Sequence, residues 1–425
     1  MHTVRLLFVC LFSLMVVASC DSGGETSKAP VDKEGAVAEK PGGQPKAGQK
    51  GEGDREEPAE LVAEEMPPAA RKKKDNEIKT RTFDLGQGEK EFHRVKVFYG
   101  TNRKQTGASA ANDFYGPSRG RVVTYGFCEV TIPLTHKVGA LEKPKWWKFE
   151  FSENPKKHVV LQKVNPLSWE VLTNQLNGVL ASSSGRNAFV FVHGYNVHFK
   201  DAARRTAQIH HDLKFDGAPI FFSWPSQGEI TVTSYTHDET NAKWSYSYLK
   251  EFLIKVATDT EADNIYLIAH SMGTRVLANA VTNIMTERPD LKKRFREIIL
   301  AAPDIDTEVF INDLAPKLVE ASRNTTLYAS SNDKALQTSR KVHGGYPRAG
   351  DAGEHLIILP GIDTIDASGV DTSFLGHSYF AEAGSILRDI KELVGLSKPA
   401  AQRTFLLPKK RRVDKQTYFV VRKGP

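Results

Sequence analysis

The chain has 425 residues, of which 40% are hydrophobic and 9% aromatic, so a sizeable core can form once the polar stretches are set aside. Its formal net charge of +7 is spread along the sequence, and the densest basic runs, 71–74 and 409–412, lie in polar, unpatterned stretches. Such runs are typical of solvated tails, so no nucleic-acid partner is expected. With three cysteines and no Cys or His/Cys cluster at ligand spacing, neither a metal nor another cofactor is expected.

The first twenty residues read as an export signal. Arg5 precedes an apolar run, Leu6–Val17, that is too short to span a bilayer stably. It ends in Val-Ala-Ser-Cys20, which resembles the lipobox of bacterial lipoproteins. We therefore predict a signal over 1–20, acylation of Cys20, and an exported chain held by lipid to a membrane of the bacterial cell envelope. The alternative is an ordinary cleaved signal with an incidental cysteine.

Composition divides the remainder. Residues 21–80 are rich in Gly, Glu, Lys, Ala and Pro and predict a disordered tether. Residues 81–398 carry the patterned sequence of one globular domain. The pattern weakens over 399–425, which we interpret as a C-terminal tail, although 417–421 could add a late edge strand. Only Cys128 lies beyond the signal and its cysteine, so no disulfide within the mature chain is expected.

Short β-rich runs alternate with amphipathic stretches through the globular part. Strands are predicted over 93–99, 122–132, 159–164, 188–192, 219–222, 264–268, 298–301, 326–329 and 356–359. Helices are predicted over 167–180, 199–213, 240–258, 273–285 and 379–393. Most of the later strands are continuously apolar, as in parallel strands covered on both faces. The alternation indicates an α/β fold, a three-layer sandwich with a mostly parallel sheet.

One strand runs directly into a serine. The stretch Ile265-Tyr-Leu-Ile-Ala-His-Ser271-Met-Gly273 is followed at once by a helical pattern. This is the G-x-S-x-G nucleophile elbow of α/β-hydrolases, with Ala in place of the first Gly. Small residues allow a turn so sharp that Ser271 is presented at the end of the sheet, next to a helix N-terminus. We predict Ser271 as nucleophile and the Met272 N–H as one donor to a developing oxyanion.

A second apolar strand, Phe189–Val192, runs into His193-Gly194-Tyr195-Asn196. Acyl transfer needs a further N–H from the loop after an earlier strand, and Gly194 lets this loop approach closely. The Tyr195 N–H is therefore the predicted second donor of the oxyanion hole. His193 precedes the nucleophile in the chain, so it is assigned to shaping the loop rather than to catalysis.

The acid and the base are expected to follow Ser271 in that order. Asp333 ends a stretch that begins with a predicted strand, and it is our choice of acid, with Asp304 and Asp306 as rivals that could instead cap a helix near Thr307. His377 lies between the last apolar strand and the final helix and is our choice of base; the alternatives are His343 and His355.

Taken together, these stretches resemble an uncharacterised bacterial family of α/β-hydrolases that includes lipoproteins and esterase- or lipase-like enzymes. The matching segments are 99–103, 130–133 with His136 and Gly139, 193–196, 222–225, 269–273, 302–306 and 332–336. The resemblance covers roughly 93–385 and supports Ser271, Asp333 and His377 as a triad. It also implies that 99–144 is an N-terminal extension of the hydrolase core, without indicating what that extension does.

The expected activity is hydrolysis of an ester, thioester or amide through an acyl-enzyme, on a small-molecule or lipid-like acyl substrate. The competing hypothesis is a catalytically silent α/β-hydrolase fold that serves as an envelope binding or scaffold protein. A third keeps the triad but transfers the acyl group to an acceptor other than water. Neither the substrate nor the oligomeric state follows from the sequence.

Overall fold

The computed structural model describes residues 91–229, 231–370 and 380–422. The signal, Cys20, the tether and His377 therefore lie outside the described residues. The described residues form eleven strands: β1 Phe92–Gln105, β2 Tyr115–Pro133, β3 Val160–Leu167, β4 Asn187–Val192, β5 Ala218–Ser223, β6 Asn264–His270, β7 Phe295–Ala301, β8 Ser322–Ala329, β9 Ile362–Asp366, β10 Leu406–Lys410 and β11 Thr417–Val421.

From β3 to α9, strands alternate with one or two α-helices. The α-helices are α1 Trp169–Ser182, α2 Phe199–Leu213, α3 Val232–Trp244, α4 Tyr246–Asp259, α5 Gly273–Glu287, α6 Thr307–Val309, α7 Ala315–Ala321, α8 Lys334–Val342 and α9 Phe380–Leu396. A π-helical turn, Phe310–Leu314, joins α6 to α7. Within the described ranges, no helix is both long and apolar enough to cross a membrane.

All eleven strands form one sheet in the order β10-β11-β9-β8-β7-β6-β4-β5-β1-β2-β3. Neighbouring strands from β11 to β1 pair in parallel, whereas β2 is antiparallel to both β1 and β3, and β10 is antiparallel to β11. Buried side chains form one core on each face of the sheet. The predicted three-layer α/β-hydrolase architecture with a mostly parallel sheet is thus confirmed, and β2 and β3 extend it at its N-terminal side.

Two predicted elements differ from the structure. The helix predicted over 240–258 is two helices that meet at Ser245, whose hydroxyl donates to the Asn241 carbonyl (2.7 Å) and accepts from Asn102 Nδ2 (2.8 Å). The strand predicted over 356–359 is wrong. Leu356 and Ile357 are buried in the core, but they pack there as irregular chain, and the paired strand β9 begins at Ile362, just after the turn at Gly361.

The segment interpreted as a tail, 399–425, contains β10 and β11, and the strand anticipated over 417–421 is present there as β11. β11 pairs with β9, so the sheet continues to Val421. The composition of 399–425 resembles that of a chain end because its strands are short and lie among polar residues. Pairing with neighbouring strands, which composition does not reveal, gives this segment its structure.

Candidate active site

Ser271 occupies the sharp turn between β6 and α5. Its backbone has φ of +53°, in the left-handed region that a non-glycine residue adopts only at a cost. Its N–H donates to the Ala301 carbonyl of β7 (2.9 Å), and its own carbonyl accepts from Thr274 N (3.0 Å). These bonds hold the serine in its strained conformation at the carboxyl edge of the parallel strands, where α/β sheets bind ligands. Its hydroxyl has no hydrogen-bond partner among the described residues.

The chain packs tightly around the elbow. A Cβ added to Gly273 would lie 2.2 Å from the His193 carbonyl oxygen, and one added to Gly194 would lie 3.0 Å from Ser271 Cβ. Both positions therefore accept only glycine without movement of the backbone. The loop after β4 is in direct contact with the serine, as the oxyanion-hole prediction requires.

Neither predicted oxyanion donor has a partner among the described residues. The backbone N–H groups of Tyr195 and Met272 make no hydrogen bond there, although Met272 is fully buried. Met272 is the N-cap of α5, and the first N–H groups of a helix have no partner within it, so they are available to an anion. The Tyr195 side chain, in contrast, is fixed by its hydroxyl, which donates to the Glu229 carbonyl (2.7 Å) and so anchors the loop.

His193 is fully engaged by its surroundings. Nδ1 donates to the Gly194 carbonyl (2.9 Å), Nε2 accepts from the Ser223 hydroxyl (3.0 Å), and the ring stacks on Trp224 at 5.1 Å. Burial, helped by the charge of Arg103, lowers the pKa of His193 to about 3. The ring is therefore neutral at physiological pH, with both nitrogens occupied. This arrangement supports the structural role assigned to it.

Arg103, at the end of β1, was not singled out as a functional residue by sequence reasoning. Its buried guanidinium donates to the Ser223 hydroxyl (2.8 Å) and to the carbonyls of Val197 (2.7 Å), Ser226 (3.0 Å) and Gly116 (3.1 Å). The loops after β4 and β5 are thus joined by one side chain. The only signal for it was the family-like segment 99–103, and in the structure this part of the extension holds the loop after β4.

Asp333 lies after β8 as the N-cap of α8. Its Oδ1 accepts from Ala335 N (2.9 Å) and Leu336 N (3.0 Å). Because β6, β7 and β8 are adjacent parallel strands, Asp333 and Ser271 follow strands that end at the same edge of the sheet. Since His377 lies outside the described residues, the pairing of the acid with the base remains a prediction.

The two rival carboxylates, Asp304 and Asp306, are hydrogen-bonded to other parts of the protein. Asp306 caps α6 by accepting from Glu308 N (2.9 Å) and Val309 N (3.2 Å). Asp304 is buried, and both its oxygens are occupied by the side chains of Ser339, Arg348, Tyr235 and Arg275. Burial opposes the ionisation of Asp304, but the charges of Arg275 and Arg348 outweigh it and lower the pKa. Asp304 is therefore bound in a structural ion-pair network.

The alternative histidines are also placed. His343 Nδ1 donates to the Ser339 carbonyl (2.7 Å), and its Nε2 contacts Glu239 (3.1 Å). His355 is partly exposed beside Glu354. Neither makes a hydrogen bond to Ser271. In the ranges that the structure describes, no group of three or more His, Cys, Asp or Glu side chains could hold a metal ion.

A parallel sheet with a strained serine at its carboxyl edge, between a strand and a helix, defines an α/β-hydrolase. The comparison with family models agrees: residues 170–395 match the model described as "Alpha/beta hydrolase of unknown function (DUF900)", and the chain belongs to that family. No curated protein matches the chain.

Solved structures resemble the chain only weakly. Lipase B of Aspergillus fumigatus is 14% identical with a TM-score of 0.29, and the match covers 49% of this chain and 52% of the lipase. The chain therefore spans about half of that protein. The poly(3-hydroxybutyrate) depolymerase LpqC of Bordetella parapertussis is 12% identical over 73% of this chain and 92% of its own, with a TM-score of 0.31. Phospholipase PlaB of Legionella pneumophila is 10% identical, the match covers 55% of this chain and 68% of the phospholipase, and the TM-score is 0.23. Similarities of this size say nothing about substrate.

Proposed function

We propose that the protein is a serine hydrolase that cleaves a carboxylic ester, or a thioester or amide, through an acyl-enzyme. The observation that carries the proposal is the conformation of Ser271, held at positive φ beside the unpaired Met272 N–H and in contact with the loop that presents the Tyr195 N–H. Two donors fixed beside a nucleophile stabilise the charge that develops on a carbonyl oxygen, and one such donor is worth about 10²–10³ in kcat.

In the proposed reaction, His377 takes the proton of Ser271 as Oγ attacks the substrate carbonyl, and Asp333 orients the imidazole and stabilises the imidazolium. The bond from the carbonyl carbon to the leaving oxygen breaks, and His377 gives the proton to the departing alcohol. Water, deprotonated by the same histidine, then attacks the acyl-enzyme. The bond between the acyl carbon and Ser271 Oγ breaks, and His377 returns the proton to Oγ, which gives a carboxylic acid and free Ser271.

The test is labelling by a fluorophosphonate probe, using the chain from Asp21 onward, which retains every described residue. We expect the parent to be labelled and Ser271→Ala to remain unlabelled, after which a panel of esters of graded chain length defines the acyl preference. If folded parent protein is not labelled, the serine is not activated, and the silent binding or scaffold protein takes the place of the enzyme.

We further propose that the mature chain is anchored to an envelope membrane by lipid on Cys20. The support is the short apolar run that ends in a lipobox-like cysteine. The test is metabolic labelling with a palmitate analogue in a bacterial host, together with fractionation. Cys20→Ala is expected to abolish labelling and release the protein from the membrane fraction, whereas the control Cys128→Ala is expected to retain both properties.

A further inference from the structure

Exposed apolar side chains are concentrated in the connection between β2 and β3, residues 134–159. Of the fourteen large hydrophobic side chains that are exposed among the described residues, six lie in this connection. Its centre holds four aromatic residues within six positions: Trp146 (75% exposed), Trp147 (60%), Phe149 (83%) and Phe151 (82%). Single exposed apolar residues are ordinary, whereas a contiguous group of this size marks an interaction surface. We call residues 145–151 the aromatic loop.

The aromatic loop has a defined conformation. A 3₁₀ turn over Trp146–Lys148 ends at Phe149, whose backbone has φ of +55° and whose N–H donates to the Trp146 carbonyl (3.0 Å). The Glu150 carboxylate accepts from Lys145 N (3.1 Å) and closes the turn. A left-handed conformation costs a bulky residue on the order of 1 kcal/mol. Burial of the Phe149 ring does not offset that cost within this chain, because the ring is exposed.

The acidic and basic side chains of this connection differ in their contacts. The glutamates of the connection bind side chains of the protein itself, and their side chains are each a quarter exposed or less: Glu142 with His136, Glu150 with His158, and Glu153 with Arg204. By contrast, Lys137 and Lys157 are exposed and have no ion pair among the described residues, and the Lys145 ammonium lies 5.7 Å from the Trp147 ring centroid. The exposed surface of this connection is therefore aromatic and basic.

The connection that carries the aromatic loop is held against α2 and the start of β3. The connection starts and ends at the edge opposite Ser271, and between these ends it contacts both ends of α2. Gly139 N donates to Asp212 near the end of α2 (2.7 Å), whereas Lys143 pairs with Asp201 (2.8 Å) in its first turn. Asp201 and Asp212 are eleven positions apart, which is about 16 Å of helix. Within the aromatic loop, Glu150 contacts His158 just before β3 (3.2 Å), so the loop is fixed against the domain on both sides.

We propose that the aromatic loop inserts into the interfacial layer of a membrane containing anionic lipids. Trp side chains favour the headgroup region, where the ring is buried and its N–H remains hydrated. Neighbouring lysines contact anionic headgroups, and the glutamates that would be repelled are bound to the protein. A lipid surface fits better than a protein partner, because lysine is depleted from the centre of protein interfaces.

The proposed binding to lipid does not rest on the hydrolase activity. The experiment therefore uses the Ser271→Ala chain from Asp21 onward, which has no lipid anchor. Its sedimentation with phosphatidylcholine vesicles, with and without phosphatidylglycerol, is compared with that of a variant carrying W146S, W147S, F149S and F151S. We expect binding to the anionic vesicles and a blue shift of tryptophan emission. For this variant with four substitutions (the fourfold variant), the partition coefficient onto the vesicles is expected to be at least about tenfold lower than for the parent.

Two further variants separate charge from apolar insertion. Lys137→Gln and Lys157→Gln are each expected to reduce binding to anionic vesicles by about fivefold, from roughly 1 kcal/mol per lysine near such a surface. Val413→Ser is the control, because Val413 is exposed (92%) but lies in the turn between β10 and β11. It is expected to bind like the parent. Circular dichroism and the urea midpoint establish that each variant is folded.

Three outcomes would overturn the proposal. The parent could fail to bind either vesicle, or the fourfold variant could bind as well as the parent. Alternatively, the parent could self-associate in the absence of lipid and lose that association in the fourfold variant, which would make the loop an interface between two copies. Because the assay contains no active serine, none of these outcomes bears on fluorophosphonate labelling, and absent labelling leaves the vesicle result unchanged.

Discussion

Gly273 gives the sharpest test of how packing produces the site. A Cβ at this position would lie 2.2 Å from the His193 carbonyl oxygen and 2.7 Å from that of Val192. Both atoms belong to the backbone, so neither can rotate away as a side chain would. Since a Cβ in ordinary van der Waals contact lies 3.4–4 Å from its neighbours, the end of β4 must move by about an ångström to admit the methyl group.

Gly273→Ala is therefore expected to lower the free energy of unfolding by about 3 kcal/mol, the upper part of the usual range for overpacking. The displaced segment carries the Tyr195 N–H away from Ser271. Fluorophosphonate labelling should consequently slow by about 10²–10³, the effect of losing one oxyanion donor. Urea unfolding followed by tryptophan fluorescence measures the first quantity, and a labelling time course in the absence of urea measures the second.

Gly178→Ala is the matched control. Gly178 is exposed in α1, and a Cβ there would meet nothing within 4 Å. The substitution is expected to add about 0.5–1 kcal/mol of stability through helix propensity and to leave labelling unchanged. If Gly273→Ala matched the parent in both measurements, the contact between the elbow and the β4 loop would not be what positions the oxyanion donors.

Three other substitutions probe separate parts of the structure. Arg103→Lys should lower the free energy of unfolding by about 2–4 kcal/mol, because an ammonium cannot reach all four acceptors of the buried guanidinium; a urea midpoint equal to that of the parent would contradict this. Asp333→Asn keeps an N-cap residue but removes the charge, so stability should hold while ester turnover falls by about 10²–10⁴; Asp306→Asn is the matched cap control and should retain turnover. Burial acts against the charged form of His136, but hydrogen bonds to two carboxylates raise its pKa from 6.5 to about 9. The stabilisation, up to about 3 kcal/mol, is complete below pH 6.5 and lost as the pH rises through 9. The stability difference between the parent and His136→Gln should shrink accordingly in urea titrations at pH 6, 8 and 10, and a difference independent of pH would refute the charged state of His136.

The elbow could be predicted because its signal is local. A strand, a serine between small residues and a helix follow one another within about twenty positions, and the steric demands of the turn restrict the residues at 269 and 273. The same holds for the loop after β4, in which an apolar strand runs into His-Gly. For these segments, the conformation that the local sequence favours is the one that the tertiary structure requires.

The role of Arg103 could not be predicted in this way. Its four acceptors lie on Gly116, Val197, Ser223 and Ser226, up to 123 positions away. Three of them are backbone carbonyls, so the identity of the acceptor residue carries no signal. The misplaced strand at 356–359 has a related cause. An apolar run predicts burial, but burial in irregular chain and burial in a paired strand leave the same pattern.

The two outer strands of the sheet, β3 and β10, have a consequence for behaviour at high concentration. Among the described strands, each is paired on one side only, and such an edge is where a second chain could join. β3 carries Lys163 and Pro166, and β10 carries Pro408 followed by Lys409 and Lys410. Proline cannot donate to an added strand, and lysines on both copies repel each other. The basic run that composition assigned to a solvated tail therefore gives one outer strand of the described sheet a proline and two lysines, residues that disfavour pairing between edges, and β3 carries the same two residue types.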